Sequence, residues 1–173
     1  MMLSATKEFS HAEHDRLLKV CFKYADVFSL KRAYFTSDDE IKLLEELRPY
    51  LLKVIKSCHW FCYYVPERNI MEIQLFRACP ETKKILRDHF NRYFYVENEL
   101  QKSELPEDVS FFRQNKLFMG TVMHEGMCYV YPPTEESAAE FMQICKWDTV
   151  KAKPAEQIIL RDDYTPIETE WSW

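Results

Sequence analysis

The stretch that decides the fold runs from Val109 to Pro133 and reads VSFFRQNKLFMGTVMHEGMCYVYPP. Its β-branched and aromatic segments are separated by turn residues, a pattern typical of successive antiparallel strands. Taking Gln114-Asn115 as a two-residue loop makes a hairpin that brings bulky side chains together. In that register, Phe112 pairs with Leu117 and Phe111 pairs with Phe118.

The second reversal contains His-Glu-x-x-Cys, which resembles the zinc-binding motif His-Glu-x-x-His. Two residues four apart can bind one metal ion on a helix, because they share a face there. Here the flanking residues favour strands and the prolines end the stretch, so we predict a two-residue turn at Glu125-Gly126 and no metal site. In this hairpin His124 and Cys128 point to opposite faces of the sheet, although a longer loop would change the pairing. The expected pairs are His124 with Met127, Met123 with Cys128, and Gly120 with Tyr131.

Capping signals and prolines predict four helices. Ser10 and Glu13 form a capping-box pattern ahead of a helix from about His11 to Ala25. A second helix starts at Ser37 with three acids in its first turn, and Pro49 predicts a kink or break near Arg48. The apolar positions of this second helix continue to Leu51 and Ile55. Pro80 and Thr134 mark the first turns of two further helices.

Between these helices we expect a sheet. SCHWFCYYVP (residues 57–66) lacks alternation and predicts a central strand that is covered on both faces, while NIMEIQLF (69–76) alternates and predicts a strand with one buried face. The residues PERN would join the two strands as a hairpin loop, and DVFSLKRAYF (26–35) is left unassigned. The predicted class is α+β, with a largely antiparallel sheet of about five strands from about Ser57 to Pro132 and helices packed against it.

Composition limits the classes of function. The 173 residues suit one domain (1–150) followed by an acidic tail (151–173) that could dock on it. Only two glycines occur, so the glycine-rich loops that bind nucleotide phosphates are excluded, and no cofactor is expected. The six cysteines are expected to be reduced and mostly buried, because no signal peptide is visible. No apolar run is long enough to span a membrane, and we expect a cytoplasmic protein.

The formal charge of −5 is unevenly distributed. The run from residue 97 to 108, ENELQKSELPED, carries five acids and one lysine, which disfavours direct binding of nucleic acid and suggests a surface for a basic partner. Tryptophans at the C-terminus could supply an apolar anchor for such a partner or pack back on the domain. The candidate contact residues are Glu97, Glu99, Glu104, Glu107 and Asp108, followed by Trp171 and Trp173.

Residues 59–66 and 105–133 are similar to small bacterial α+β proteins of the toxin-immunity type. This resemblance carries no catalytic residues and implies a binding role, such as neutralising a toxin. We therefore expect a non-enzymatic inhibitor or immunity-like protein that binds a basic protein, with its oligomeric state open. One alternative is an enzyme that uses His124, Glu125 or a cysteine in a pocket not visible in the sequence. A third is an acidic mimic of nucleic acid.

Overall fold

The described part of the chain forms four α-helices and ten strands. The computed structural model describes residues 1–5, 7–33, 38–90, 105–150 and 157–167. In chain order the elements are β1 (Met2–Ala5), α1 (His11–Tyr24), β2 (Val27–Lys31), α2 (Asp38–Leu47), β3 (Leu51–Ser57), β4 (His59–Trp60), β5 (Tyr63–Tyr64), β6 (Met71–Arg77), α3 (Pro80–His89), β7 (Glu107–Arg113), β8 (Lys116–Val122), β9 (Met127–Val130), α4 (Glu135–Met142) and β10 (Trp147–Val150).

Eight strands of the described chain form one antiparallel sheet in the order β10-β1-β9-β8-β7-β2-β6-β3. The predicted α+β class and the antiparallel sheet are confirmed, but the expected number of about five strands is wrong. Strands β1 and β10 have four residues each, and β2 is buried along its whole length, so none of the three shows a clear alternation of apolar and polar residues. The apolar pattern of the second predicted helix continues through Leu51 and Ile55, which belong to β3.

Helix α1 begins where its capping signal indicates, and helix α2 ends where its proline signal indicates. Ser10 Oγ accepts the Glu13 N–H at 3.3 Å, and the Ser10 N–H donates to Glu13 Oε2 at 2.8 Å, so the predicted capping box forms. Helix α2 ends at Leu47, and Pro49 lies in the 3-10 turn that follows, which confirms the break near Arg48. Beyond this turn the chain becomes extended, so Leu51 and Ile55 belong to β3 and not to a helix.

Residues 57–66 do not form the predicted central strand. They contain the short hairpin β4–β5, which forms a separate two-stranded sheet, and the central positions of the large sheet are taken by β8 and β7. Phe61, between the two strands of this hairpin, is 1% exposed. A run of aromatic residues between turns is expected in a buried central strand and also in a hairpin that covers a sheet. The pattern alone therefore does not distinguish these two structures.

Small residues on the large sheet make room for this hairpin. Ser29 pairs with Ser110, and Ser110 pairs with Gly120. The neighbouring strands β2, β7 and β8 therefore carry a serine, a serine and a glycine side by side across the sheet. A Cβ atom on Gly120 would lie 2.8 Å from Cε1 of Phe61. Gly120 is therefore covered by an aromatic ring, as expected, but by Phe61 from another segment and not by Tyr131.

The register of strands β7, β8 and β9 differs from the prediction in two places. Phe112 pairs with Leu117 as expected, but a bulge pairs Phe111 with Met119 in place of Phe118. The second turn is longer than two residues, because Met123–Glu125 forms a 3-10 turn and Gly126 adopts a left-handed conformation with φ of 63°. The chain does reverse there, but the observed pairs are Val122 with Met127, Thr121 with Cys128, and Gly120 with Tyr129.

Both faces of the sheet are covered. One face packs against residues of all four described helices, and the other packs against Trp60 and Phe61 of the hairpin region. The described segment 157–167 also lies on this second face, where the Leu160 N–H donates to the Asn115 carbonyl oxygen at 2.7 Å and Leu160 is buried. No helix in the described part of the chain has the length and hydropathy needed to cross a membrane.

All six cysteines are free thiols. Cys21 and Cys128 are fully buried, and burial raises the pKa of both thiols. The other four are partly exposed, so the expectation that most cysteines are buried is wrong.

Candidate functional site

A cleft of about 640 Å³ opens between α1, the junction of β6 with α3, and the end of α4. Cationic side chains from two helices line it, and we call it the cationic cleft. They are Arg16, Lys19 and Lys23 from α1 and Lys83 from α3, and Glu140 supplies the one carboxylate among the described residues of the lining. The local charge is thus positive on a chain whose formal charge is −5.

The spacing of the cations on α1 explains why they meet. Residues three and four apart lie on one face of a helix, so Arg16, Lys19 and Lys23 form a stripe about 10 Å long. The neighbouring stripe, which includes Leu17 and Cys21, is buried against the sheet. Packing the apolar stripe therefore leaves the cations at the edge of the cleft.

These cations differ in how far they are already neutralised. Lys23 Nζ lies 2.9 Å from Glu136 Oε1 and also contacts Glu140 Oε1. These two carboxylates stabilise the charged ammonium and raise the pKa of Lys23. In contrast, neither Lys19 nor Lys83 forms an ion pair with any residue that the structure describes.

Arg16 is held in place by the end of α4. One of its nitrogens, Nη2, donates to the carbonyl oxygen of Ile144 at 3.2 Å. The guanidinium has five N–H donors, so most of its hydrogen-bonding capacity is left for a ligand. This contact also fixes the edge of α1 against the chain that follows α4.

The floor of the cleft is apolar. Its side chains come from α1, from the segment that enters α3 and from the end of α4: Val20, Phe22, Ala78, Pro80 and Ile144. Phe22 is fixed by aromatic neighbours in the sheet, with ring centroids 5.6 Å from Phe28 and 5.3 Å from Phe111. Contacts with the core therefore fix the position of Phe22 in the floor of the cleft without a bound ligand.

The first turn of α3 forms one end of the cleft. Cys79 is the N-cap residue, and its N–H donates to Thr82 Oγ1 at 3.0 Å. The carboxylate of Glu81 accepts its own backbone N–H, and this bond lowers the pKa of Glu81. Because the Glu81 carboxylate already accepts a backbone N–H at this helix end, we expect an anion to be bound by the lysines and the arginine and not by the N-terminus of α3. Of the six cysteines, Cys79 is the one that lines the cleft.

A second group of charged residues lies on the opposite face of the sheet and is buried. Lys31 Nζ lies 2.8 Å from Glu107 Oε2 and 3.8 Å from Asp108 Oδ2. The Tyr63 hydroxyl donates to Asp108 Oδ2, and the Met123 N–H donates to Asp108 Oδ1 at 2.8 Å. Burial raises the pKa of Asp108, although Lys31 opposes that shift. These contacts tie the hairpin and the β8–β9 turn to the sheet.

This arrangement bears on the acidic residues chosen from the sequence. Asp108 is fully buried and Glu107 is paired with Lys31, so the contact role expected for Asp108 does not fit its position in the interior. The other candidates, Glu97, Glu99, Glu104, Trp171 and Trp173, lie outside the described residues.

The residues considered for an enzymatic role are not brought together by the described structure. Glu125 is exposed in the 3-10 turn, and the side chain of His124 lies outside the described atoms. Cys128 faces the helix-covered core. Within the described ranges, no group of three or more His, Cys, Asp and Glu side chains is placed to hold a metal ion.

The sequence reasoning missed the cationic cleft because its walls come from segments far apart in the chain. One signal was present, because Arg16, Lys19 and Lys23 have helical spacing within a predicted helix. Lys83 carries no comparable signal. It joins the others only when α3 packs beside α1.

The architecture is that of an α+β protein with a two-sided antiparallel sheet and a cationic cleft among its helices. Comparison with protein-family models, with curated proteins and with solved structures found no match. Its function must therefore be inferred from its own residues.

Proposed function

We propose that this protein is a non-enzymatic binding module whose cationic cleft holds an anionic group of its ligand. The observation that carries the proposal is that the described lining of the cleft holds four cations and one carboxylate, in a chain whose formal charge is negative. Lys19 and Lys83 are the main contacts, because neither is neutralised by a described carboxylate. Like charges that converge on one cleft repel each other, and a bound anion relieves this repulsion.

Thermal unfolding in the presence of pyrophosphate tests this proposal. A ligand that binds only the folded state at ten times its Kd stabilises the protein by about 1.4 kcal/mol. For a chain of this size, that corresponds to a rise in Tm of about 3–6 °C. The rise should shrink as salt is added, because screening weakens attraction between exposed charges.

Matched variants separate the cleft from general electrostatic attraction. The pair Lys19→Gln and Lys83→Gln removes charge from the cleft, whereas Lys42→Gln and Lys84→Gln remove the same charge from α2 and from the neighbouring position on α3. We expect the first double variant to lose the pyrophosphate-dependent rise in Tm and the second to keep it. Equal rises in both variants would count against a site in the cleft.

A second proposal rests on the sequence run of acids that precedes β7. We propose that Glu97, Glu99 and Glu104, with Trp171 and Trp173 as apolar anchors, bind a basic protein, as in an immunity-like inhibitor. The support is the local excess of acids, which can speed association with a basic partner.

Charge reversal tests this second proposal. The Glu97→Lys, Glu99→Lys and Glu104→Lys triple variant and the native chain are each used to capture proteins from a lysate of the native host. The native chain should retain a basic protein that elutes with salt, and the variant should not. Equal recovery on both chains would exclude steering by these acids.

A further inference from the structure

A strand bulge brings two neighbouring acids to one buried lysine. Successive residues of a regular strand point to opposite faces, so Glu107 and Asp108 are not expected to reach the same side chain. However, the pairing of β2 with β7 shifts between Ser29 and Lys31, and Asp108 has a left-handed φ of 54°. Lys31 Nζ consequently lies 2.8 Å from Glu107 Oε2 and 3.8 Å from Asp108 Oδ2. Residues held in such sparsely populated backbone conformations cluster at functional sites.

The lysine and one of the acids are shielded from water. The side chains of Lys31 and Asp108 are 4% and 0% exposed, whereas that of Glu107 is 17% exposed. Burial of an ion pair is costly, and burial raises the pKa of Asp108. Condensation of an ammonium and a carboxylate to an amide removes both charges from the interior. It is also favoured where water is excluded, because the reverse reaction, hydrolysis, consumes water.

Hydrogen bonds prepare the Asp108 carboxyl group for attack by an amine. The Tyr63 hydroxyl donates to Oδ2, and the Met123 N–H donates to Oδ1 at 2.8 Å. Donors fixed on carbonyl oxygens stabilise the negative charge that develops when a nucleophile adds to the carbon. Oδ2 is bonded directly to Cγ, so the contact of Lys31 Nζ with Oδ2 holds the nitrogen beside the carbon to be attacked. Groups oriented for reaction reach effective concentrations of up to about 10⁵–10⁸ M.

Glu107 has a different environment that suits proton transfer. Among the described residues, Lys31 is the one group that donates to the Glu107 carboxylate, so its carbonyl carbon is not activated as that of Asp108 is. At 2.8 Å from Nζ, this carboxylate can accept a proton from the ammonium and leave the neutral amine, which is the nucleophilic form of lysine.

We propose that Lys31 and Asp108 condense to an intramolecular isopeptide bond that joins β2 to β7, with Glu107 as the proton carrier. Glu107 moves one proton from the ammonium to an Asp108 oxygen, and the neutral amine then forms the Nζ–Cγ bond. A second proton passes from the nitrogen to the Cγ hydroxyl, the Cγ–O bond breaks, and one water leaves. The reaction needs no other reactant. In the structure the two side chains are separate, which is the state before the bond forms.

Intact mass spectrometry of the folded, aged native chain tests this proposal. The mass should be lower than that of the sequence by one water, about 18 Da, and the deficit should persist in denaturant because the bond is covalent. Trypsin does not cleave after an acylated lysine, so residues 24–32 should be recovered joined to residues 103–113. An unchanged mass would overturn the proposal. So would a deficit with these two peptides separate, as in a succinimide, or a bond from Lys31 to Glu107.

Variants connect the mass deficit to the residues of the group. Lys31→Arg keeps the positive charge but cannot form this amide, so the deficit should disappear. The control is Lys84→Arg, because Lys84 also contacts a carboxylate, that of Asp88, but is 69% exposed. This variant should keep the full deficit. If Lys31→Arg keeps it as well, the bond is elsewhere; if Lys31→Arg does not fold, the joined peptides of the native chain decide.

The role of Glu107 is tested by rate. In a time course after cell-free synthesis, Glu107→Gln should lose water about a hundredfold more slowly than the native chain, because it lacks the group that carries the proton. Equal rates would exclude Glu107 from the reaction. Both outcomes are independent of the cationic cleft, which lies on the other face of the sheet.

Discussion

Replacing Gly120 by alanine tests the contact that seats the β4–β5 hairpin on the sheet. The new Cβ would lie 2.8, 2.9 and 3.0 Å from three ring carbons of Phe61. Optimal carbon contacts are about 3.5–4.0 Å, so the ring or the strand must move. Phe61 is 1% exposed, which leaves the ring little room to do so.

The expected loss of stability follows from two opposing effects. Overpacking of this kind costs about 1–3 kcal/mol, and alanine in place of glycine within a strand recovers about 0.5–1 kcal/mol. We therefore expect Gly120→Ala to lower the free energy of unfolding by about 1–2 kcal/mol. The measurement is urea unfolding at neutral pH, with the midpoint and slope compared between the variants.

A double-mutant cycle makes this prediction specific to the ring. In a Phe61→Leu background the clash is relieved, so Gly120→Ala should cost about 1 kcal/mol less than in the native chain. Gly126→Ala serves as the control, because its cost comes from a left-handed backbone with φ of 63° and should be the same in both backgrounds. If Gly120→Ala stabilises the native chain, the close contact between Phe61 and Gly120 does not exist in solution.

Three further perturbations test other parts of the fold. Burial lowers the pKa of His14 to about 4, so the unfolded chain binds a proton more readily than the folded one between pH 6.5 and pH 4. The free energy of unfolding should therefore be highest above pH 6.5 and fall by about 3 kcal/mol as the pH is lowered towards 4. Urea unfolding at several pH values measures this dependence, and His14→Gln should weaken it. Asp108→Ala leaves buried donors unpaired and should cost about 3 kcal/mol, against about 1 kcal/mol for Tyr63→Phe; equal losses in thermal unfolding would contradict the central role of the carboxylate. Ser10→Ala removes the α1 cap and should cost about 1 kcal/mol, and no change in the unfolding midpoint would refute this.

Signals that act over a few residues predicted their elements well. The Ser10 and Glu13 capping box starts α1, Pro49 follows the end of α2, and the alternation in residues 71–77 gives β6 with one buried face. Each of these signals depends on hydrogen bonds or side-chain spacing within one turn or one strand. Such interactions are determined by residues that are close in sequence, and they do not depend on distant segments.

Elements that depend on distant partners were not predicted. Strand β2 is buried along its whole length and includes Lys31, whose charge is compensated by acids about 75 residues away in the chain. The bulge at Phe111 and the longer turn at Met123–Glu125 shift the register without changing the apolar pattern. The cleft could not be predicted for the same reason, because Lys83 joins the α1 cations only through tertiary packing.

The position of β1 has a consequence for how the chain is made. β1 lies between β9 and β10, and Met2 pairs with Val150. At a synthesis rate of about 5–20 residues per second, β10 is made roughly 7–30 s after β1. During that interval Leu3 lacks the strands that pair with β1 in the folded protein, so the edge formed by β1, β9 and β10 is completed only after nearly all of the described chain has been made.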